Sequence, residues 1–413
     1  MVKRVLMIAY HYPPVQGSSG VQRTLKFSRY LPDHGWQPIV LTVHPRAYLK
    51  TIAGQLGEIP QAAIVRRAFA LDTARHLAVR GAYPGFLARP DRWASWWLGA
   101  VPVGLNLIRK YSPDVIWSTY PIATAHWIGL TLHRLSGIPW VADFRDSMTE
   151  DGYPSDPAIR KRYLQIERET IRHCDYAVFT TPSVIRMYAQ RYPEAPPSRW
   201  KKIENGFDEE NFRQAEELAT TSKRPTGKIV LVHSGLLYPL ERDPSAFFAA
   251  LAELCQSGAL SSSSLQVVLR ASGYEEHLQR MIDDHGLQEI VRLEPAIPYR
   301  EALAEMLNAD GLLIFQAANC NHQIPAKIYE YLRARRPILA LTDPAGDTAG
   351  LLRAAGIDTL VPLDSKELIV SGLRDFLARI KEQRAPVAAP AIVASHTRES
   401  RAGELAGMLD SLL

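Results

Sequence analysis

Short apolar runs recur along the chain, each closed by a polar or small-residue loop and followed by a stretch with helical spacing. Residues 5–9 (V-L-M-I-A) and 39–43 (I-V-L-T-V) are such runs, as are the cores of D-V-I-W-S-T-Y-P (114–121), P-W-V-A-D-F-R-D (139–146) and Y-A-V-F-T (176–180). Near-continuous apolar runs of strand length predict strands buried on both faces, as in parallel sheets. Helical spacing follows over 21–31, with Leu25, Phe27 and Leu31 inward, over 124–135, ended by Gly137, and over 153–173. The alternation restarts later, with strands expected at 229–233, 265–271, 291–293, 311–315 and 338–341. Strands that alternate with helices predict parallel α/β sheet in both halves. The polar stretch 209–227, with Lys223-Arg224-Pro225, reads as a linker, 386–390 as an Ala/Pro connector and 398–413 as a final amphipathic helix.

A chain of 413 residues exceeds one ordinary core and fits two domains. Its 46% hydrophobic and 22% charged residues are those of a soluble globular protein. No apolar run approaches the ~18–20 residues that span a bilayer. The basic-then-apolar start, Met1 to Ile8, is too short for a leader and reads as a first buried strand. Cys174, Cys255 and Cys320 lie far apart without metal-ligand spacing, as expected in a reducing cytosol. A net charge of +5 permits acidic partners such as nucleotide phosphates, lipid phosphates or an anionic membrane. No nucleic-acid-binding motif accompanies the charge, so nucleic acid is not expected as a partner.

Several stretches carry candidate chemistry. The run Q-I-P-A-K-I-Y-E-Y-L-R-A-R-R-P-I-L-A-L-T (323–342) reads as a proline-started helix, stopped at Pro337, then a buried strand. With the strand at 311–315 before it, it forms a strand–loop–helix–strand unit of the kind that binds ligands beyond strand carboxyl ends. Gly17, Ser18, Ser19 and Gly20 make a small-residue loop between the first strand and helix, suited to presenting backbone N–H groups to a phosphate or sugar. The loop is not G-x-G-x-x-G, so no nicotinamide cofactor is inferred. Asp143, Arg145 and Asp146 end a strand; they can order an acceptor hydroxyl and steady a pyrophosphate, or form a buried ion-pair network. Between 62 and 110, arginines interleave with Phe86, Trp93, Trp96, Trp97 and Leu98. Two readings of this stretch stand: an interfacial surface for anionic lipid, or core tryptophans with solvated arginines.

The motif P-A-K-I-Y-E-Y-L-x-A-x-R-P-I-L-A resembles the donor-site helix of family 4 retaining glycosyltransferases. D-V-I-W-S-T-Y-P, G-I-P-W-V-A-D-F-R-D-S and I-E-N-G-F-D-E-E-N-F resemble the same family, in order and over nearly the whole chain. The resemblance implies α/β architecture of the GT-B type: two Rossmann-like parallel-sheet domains facing a cleft, with a C-terminal helix returning to the first. The corresponding divisions are 1–208 for acceptor binding, 209–227 as linker, 228–385 for the nucleotide sugar, and 386–413 as connector and returning helix. By the same resemblance Glu330 accepts hydrogen bonds from ribose hydroxyls, and His322 stands where the family often has a second Glu. Gly235 lies in the first donor-domain loop, where Arg242 stands in for a diphosphate-binding Lys. The loop's usual Arg position is Leu, and Lys327 is the candidate to supply that charge. Gly17 to Gly20 would face the cleft, and Arg145 and Asp146 stand nearest to where many members have a histidine.

The implied function is transfer of a sugar, with retention, from a nucleotide diphosphate sugar to a glycan or polyprenyl-linked acceptor of the bacterial cell envelope. The protein is expected in the cytoplasm, with contact to the anionic inner membrane under the first reading of the Arg/Trp stretch. With no Asp-x-Asp in the chain, no metal and no cofactor are expected. The alternatives are a nucleotide-sugar epimerase on the same fold and a non-catalytic nucleotide-sugar-binding protein.

Overall fold

The computed structural model describes residues 2–16, 20–221 and 227–413, apart from the side chains of residues 53 and 221. The chain divides into two compact units, residues 1–205 with 398–413, and residues 206–397. The first is built on seven parallel strands, β1 (Lys3–Ile8), β2 (Trp36–Val43), β3 (Ile64–Ala68), β4 (Val115–Thr119), β5 (Trp140–Arg145), β6 (Tyr176–Phe179) and β7 (Trp200–Lys202), in the order β3-β2-β1-β4-β5-β6-β7. The second has six, β8 (Ile229–Ser234), β9 (Leu265–Arg270), β10 (Val291–Glu294), β11 (Gly311–Gln316), β12 (Ile338–Thr342) and β13 (Leu360–Val361), in the order β10-β9-β8-β11-β12-β13.

The inner strands are the apolar runs of the sequence. Val5 to Ile8, Ile39 to Leu41 and Trp140 to Phe144 are fully buried, because helices cover both faces of the sheet. Edge strands β3, β7 and β13 were not expected. They are short, and β3 (I-V-R-R-A) and β7 (W-K-K) carry the cations that keep an edge from pairing with another chain.

The terminal helix Arg398–Asp410 belongs to the first unit, as the resemblance implied. Leu405, Ala406 and Leu409 enter the first core. Asp410 accepts from the indole N–H of Trp36 at 2.8 Å and pairs with Lys3, tying the helix end to β1 and β2.

The linker expected at 209–227 requires correction. Glu209–Thr221 is a helix of the second unit; residues 222–226 lie outside the described residues. Phe212 and Ala215 sit in a core shared with Val232, Leu303 and Ile328, and Arg333 forks onto Glu209 at 2.7 and 2.6 Å and reaches Glu216 at 2.8 Å. The segment reads as polar because so few of its side chains make that contact. Residues 386–397, expected to lead to the first domain, also stay in the second unit: Ala388 and Val393 are in its core, and Phe207 N–H donates to His396 O.

The tryptophans settle on the second of the two readings. Trp96 is fully buried, and Trp93 and Trp97 pack against the first core. Trp97 stacks on Trp127 with ring centroids 5.1 Å apart and donates to Thr131 Oγ1.

Arg333→Ala should cost the second unit roughly 1–2 kcal/mol, the scale of a partly exposed charge-assisted fork. Proteolysis should then increase within 209–221. Urea unfolding and limited proteolysis check this; an unchanged midpoint and cleavage pattern would mean the helix does not depend on that anchor.

Candidate functional site

In the second unit the strand order reverses at β8, which pairs with β9 on one side and β11 on the other. Such a switch point opens a crevice beyond the strand carboxyl ends. Polar residues gather there from two elements. His233 and Ser234 end β8, and the loop beyond carries Gly235 and Arg242. Lys327 opens the helix Lys327–Ala334, with Glu330 one turn further along.

His233 is buried, and its Nδ1 lies 2.8 Å from Leu313 O. A carbonyl can only accept, so Nδ1 carries the proton and Nε2 is left as an acceptor. Lys327 Nζ lies 3.1 Å from that Nε2. Gly235 holds φ +107°, and a Cβ there would come 3.0 Å from Lys327 Nζ, so the glycine keeps the approach to the amine open. Arg242 donates to Leu236 O at 3.0 Å, with its guanidinium 5.3 Å from the ring centre of Tyr238. Among the described residues neither Lys327 nor Arg242 has a carboxylate within 4.0 Å. Burial first, and then Arg242, pulls the Lys327 amine well below its usual range, with Glu330 opposing.

Glu330 Oε1 accepts from the hydroxyl of Tyr299 at 2.6 Å. Tyr331 fixes the end of β8, its hydroxyl accepting from Ser234 N–H at 2.9 Å. His322 lies in the loop before the helix, its ring 3.4 Å from the Gln323 amide. The structure therefore brings Gly235, Arg242, Lys327 and Glu330 into one neighbourhood and adds His233 and Tyr299, which the sequence reading missed. A histidine closing an apolar strand run was a usable signal for the first. Nothing local marked Tyr299.

In the first unit the switch lies between β1 and β4. Asp143 on β5 is fully buried, and its carboxylate meets Arg23 of the helix Gly20–Tyr30, with Nε–Oδ2 2.7 Å and Nη2–Oδ1 3.2 Å. Two further N–H groups of Arg23 donate to Ile203 O and Glu204 O, both at 3.0 Å. Asp143 is thereby one half of a buried ion pair that joins helix, sheet and the chain beyond β7.

Arg145 and Asp146 are differently placed. Arg145 has φ +64° where the β5–β6 register shifts, a conformation that a bulky residue adopts at a cost. It is half-buried, donates to Tyr120 O at 3.2 Å, and its Nε has no partner among the described residues. Asp146 is exposed and accepts from Thr180 at 3.3 Å. His11, beyond β1, is pushed down to about 4 by burial and then by Arg145, so it stays neutral. Gly20 begins its helix; Gly17, Ser18 and Ser19 lie outside the described residues. Among the described residues no group of three or more His, Cys, Asp or Glu is arranged to hold a metal ion.

Residues 19–206 match the family model described as a glycosyl transferase 4-like domain. No curated protein matches the chain in sequence. Among solved structures the chain resembles the sucrose-phosphate synthase of Thermosynechococcus elongatus, at 14% identity and TM-score 0.69 over 99% of both chains. It resembles HepE of Anabaena in complex with UDP, at 14% identity and TM-score 0.63 over 99% of this chain and 97% of that one. WaaG, a glycosyltransferase involved in lipopolysaccharide biosynthesis, is similar at 13% identity and TM-score 0.63, over 98% of this chain and 99% of WaaG. These likenesses establish the GT-B fold.

The two acids at the end of β5 should separate in experiment. Asp143→Ala leaves a buried guanidinium unpaired and should destabilise the first unit by about 3–5 kcal/mol. Asp146→Ala, an exposed change, should stay within about 0.5 kcal/mol. Urea midpoints read both.

Proposed function

We propose that the protein transfers a sugar from a nucleotide diphosphate sugar to an acceptor, with the anomeric configuration retained. The observation that carries this is the pair of basic side chains without a carboxylate within 4.0 Å, Lys327 and Arg242, at the switch point beside Glu330. Half-buried basic groups with no internal counter-ion suit an anion brought by the ligand. Glu330, one helical turn beyond Lys327, is spaced to accept from the ribose hydroxyls of the same nucleotide. The structures of HepE in complex with UDP and with UDP-glucose support this donor class.

As the glycosidic bond breaks, the leaving diphosphate gains negative charge, and Lys327 and Arg242 meet it in place. These protein cations take the role a metal clamp would otherwise have, and we assign no metal or cofactor to the reaction. With no residue placed as a base, the departing phosphate accepts the acceptor's proton on the same face, which preserves configuration. On the first unit, Arg145 and Asp146 are the groups assigned to orient the acceptor hydroxyl.

The acceptor is assigned to lipid-linked or polysaccharide intermediates of the bacterial cell envelope, used at the inner face of the membrane. No helix among the described residues is long and apolar enough to cross a membrane. A peripheral surface has different residues from those first expected, since the tryptophans are interior. Leu49, Phe69, Val79, Phe86 and Leu98 are exposed between residues 44 and 111. Arg46, Lys50, Arg66, Arg75, Arg80 and Arg89 are exposed in the same stretch. Its acids are Asp72 and Asp91, both buried, and Glu58. Each cation near an anionic bilayer contributes about 1 kcal/mol, and an inserted apolar side chain adds a salt-insensitive part.

Two measurements test the proposal. In a nucleotide-sugar panel read by thermal shift, a ligand at a hundredfold its Kd should add ~2.7 kcal/mol of stability. Glu330→Ala should weaken that binding by roughly 1–3 kcal/mol without unfolding the chain. No binding across the panel would overturn the reading, and sugar isomers released without acceptor would indicate an epimerase.

Anionic vesicles should co-sediment the protein at low salt and release much of it at high salt. Phe86→Ser/Leu98→Ser should bind several-fold less while keeping the wild-type melting temperature. A wild type that stays in the supernatant at low salt would remove the membrane from the proposal.

A further inference from the structure

Lys327 is an unusual place to keep a positive charge. It is the first residue of its helix, at the end where unpaired N–H groups already make the field positive. Arg242 reaches toward it from the loop after β8, and the nearest partner of its amine, His233 Nε2, is neutral and can only accept. Glu330 on its own helix is the one charged group that favours the ammonium. From β11 the contribution is the carbonyl of Leu313, which fixes the His233 tautomer. Burial above all holds His233 well below its ordinary range, so the ring does not itself take a second proton. Tyr331, which ties down the end of β8, is pushed above its ordinary range by burial and stays neutral as well.

Burial, Arg242 and the helix end oppose the ammonium in the empty site, while Glu330 and the accepting Nε2 of His233 favour it. A diphosphate changes the balance, because its oxygens would occupy the open side of the amine that Gly235 leaves clear. We propose that His233 is a positioning residue that seats Lys327 at the diphosphate position, and that the seated amine takes up one proton from solvent as a nucleoside diphosphate binds. The proposal rests on the reading that the second unit binds a nucleotide donor. The proton balance is simple: the amine with its lone pair becomes the ammonium on binding, and the proton returns to solvent when the product diphosphate leaves. The charge is then present while a diphosphate occupies the site and absent from the empty site.

The sign of the pH dependence follows. Binding that carries a proton weakens as pH rises, by up to about tenfold per pH unit where the empty-site amine is neutral. The test uses the full chain and UDP, or whichever of ADP, GDP and dTDP binds most tightly, above the pH at which the terminal phosphate is fully ionised. Calorimetry in buffers of different ionisation enthalpy should show up to one proton taken up per nucleotide. Lys327→Arg keeps a permanent cation, so it should still bind, with uptake lost and a flat pH profile. His233→Gln, whose amide oxygen can accept from Lys327, should bind within a few-fold of wild type. His233→Leu should bind at least tenfold more weakly, while circular dichroism confirms that it is folded.

Wild-type binding with no proton uptake would overturn the proposal and leave the donor site standing. An unchanged slope in Lys327→Arg would do the same. Binding of none of the four nucleotides would overturn both the proposal and the donor reading.

Discussion

A parallel sheet covered by helices on both faces leaves its polar groups few places to gather. Along the inner strands of both units the side chains are buried and apolar, so charge accumulates where the strands end and the backbone turns out. His233, Arg145 and Asp146 are all at or just beyond strand carboxyl ends, and Lys327 opens the helix entered from one. The chemistry of the molecule depends on that constraint. It decides which side chains can meet, whatever their distance apart in the sequence.

At those ends the two units treat charge in opposite ways. In the first, Asp143 and Arg23 neutralise one another out of water, with Ile203 and Glu204 carbonyls accepting two further guanidinium N–H groups. A carboxylate and a cation paired in this way need no counter-ion from a ligand, and their work is to hold the helix Gly20–Tyr30 against the sheet. In the second, Lys327 and Arg242 have carbonyl, imidazole and aromatic neighbours and no carboxylate partner. Two charge clusters at equivalent places in similar sheets thus differ in whether the counter-ion is built in, and that difference marks the ligand site. Arg145 is intermediate: tied to one carbonyl, held at positive φ, with one N–H unmatched.

The segment between 44 and 111 shows the same logic at the surface. Its two buried acids are engaged internally: Asp72 with Arg92, and Asp91 with the backbone and hydroxyl of Thr124. Among the described residues Arg92 is therefore the arginine of the segment that pairs with one of its acids. Large apolar side chains are exposed in the segment, while the tryptophans have gone to the core.

By itself the sequence determined the class of fold. Continuous apolar runs could be satisfied only as strands buried on both faces, and the helical spacing between them required parallel connections. The resemblance of P-A-K-I-Y-E-Y-L to a donor-site helix also marked Lys327 and Glu330. Several things were decided only by tertiary structure, each because the deciding partner is remote in the chain. The edge strands β3, β7 and β13 exist because an inner strand offers them backbone partners. The helix Glu209–Thr221 is held by Phe212 in the core and by Arg333, more than a hundred residues away. Asp143 could be read as catalytic until Arg23 was found against it, since a strand-end carboxylate looks the same in sequence whether or not an arginine meets it. His233 gains its role from Leu313 on one side and Lys327 on the other, and folding alone brings those three together.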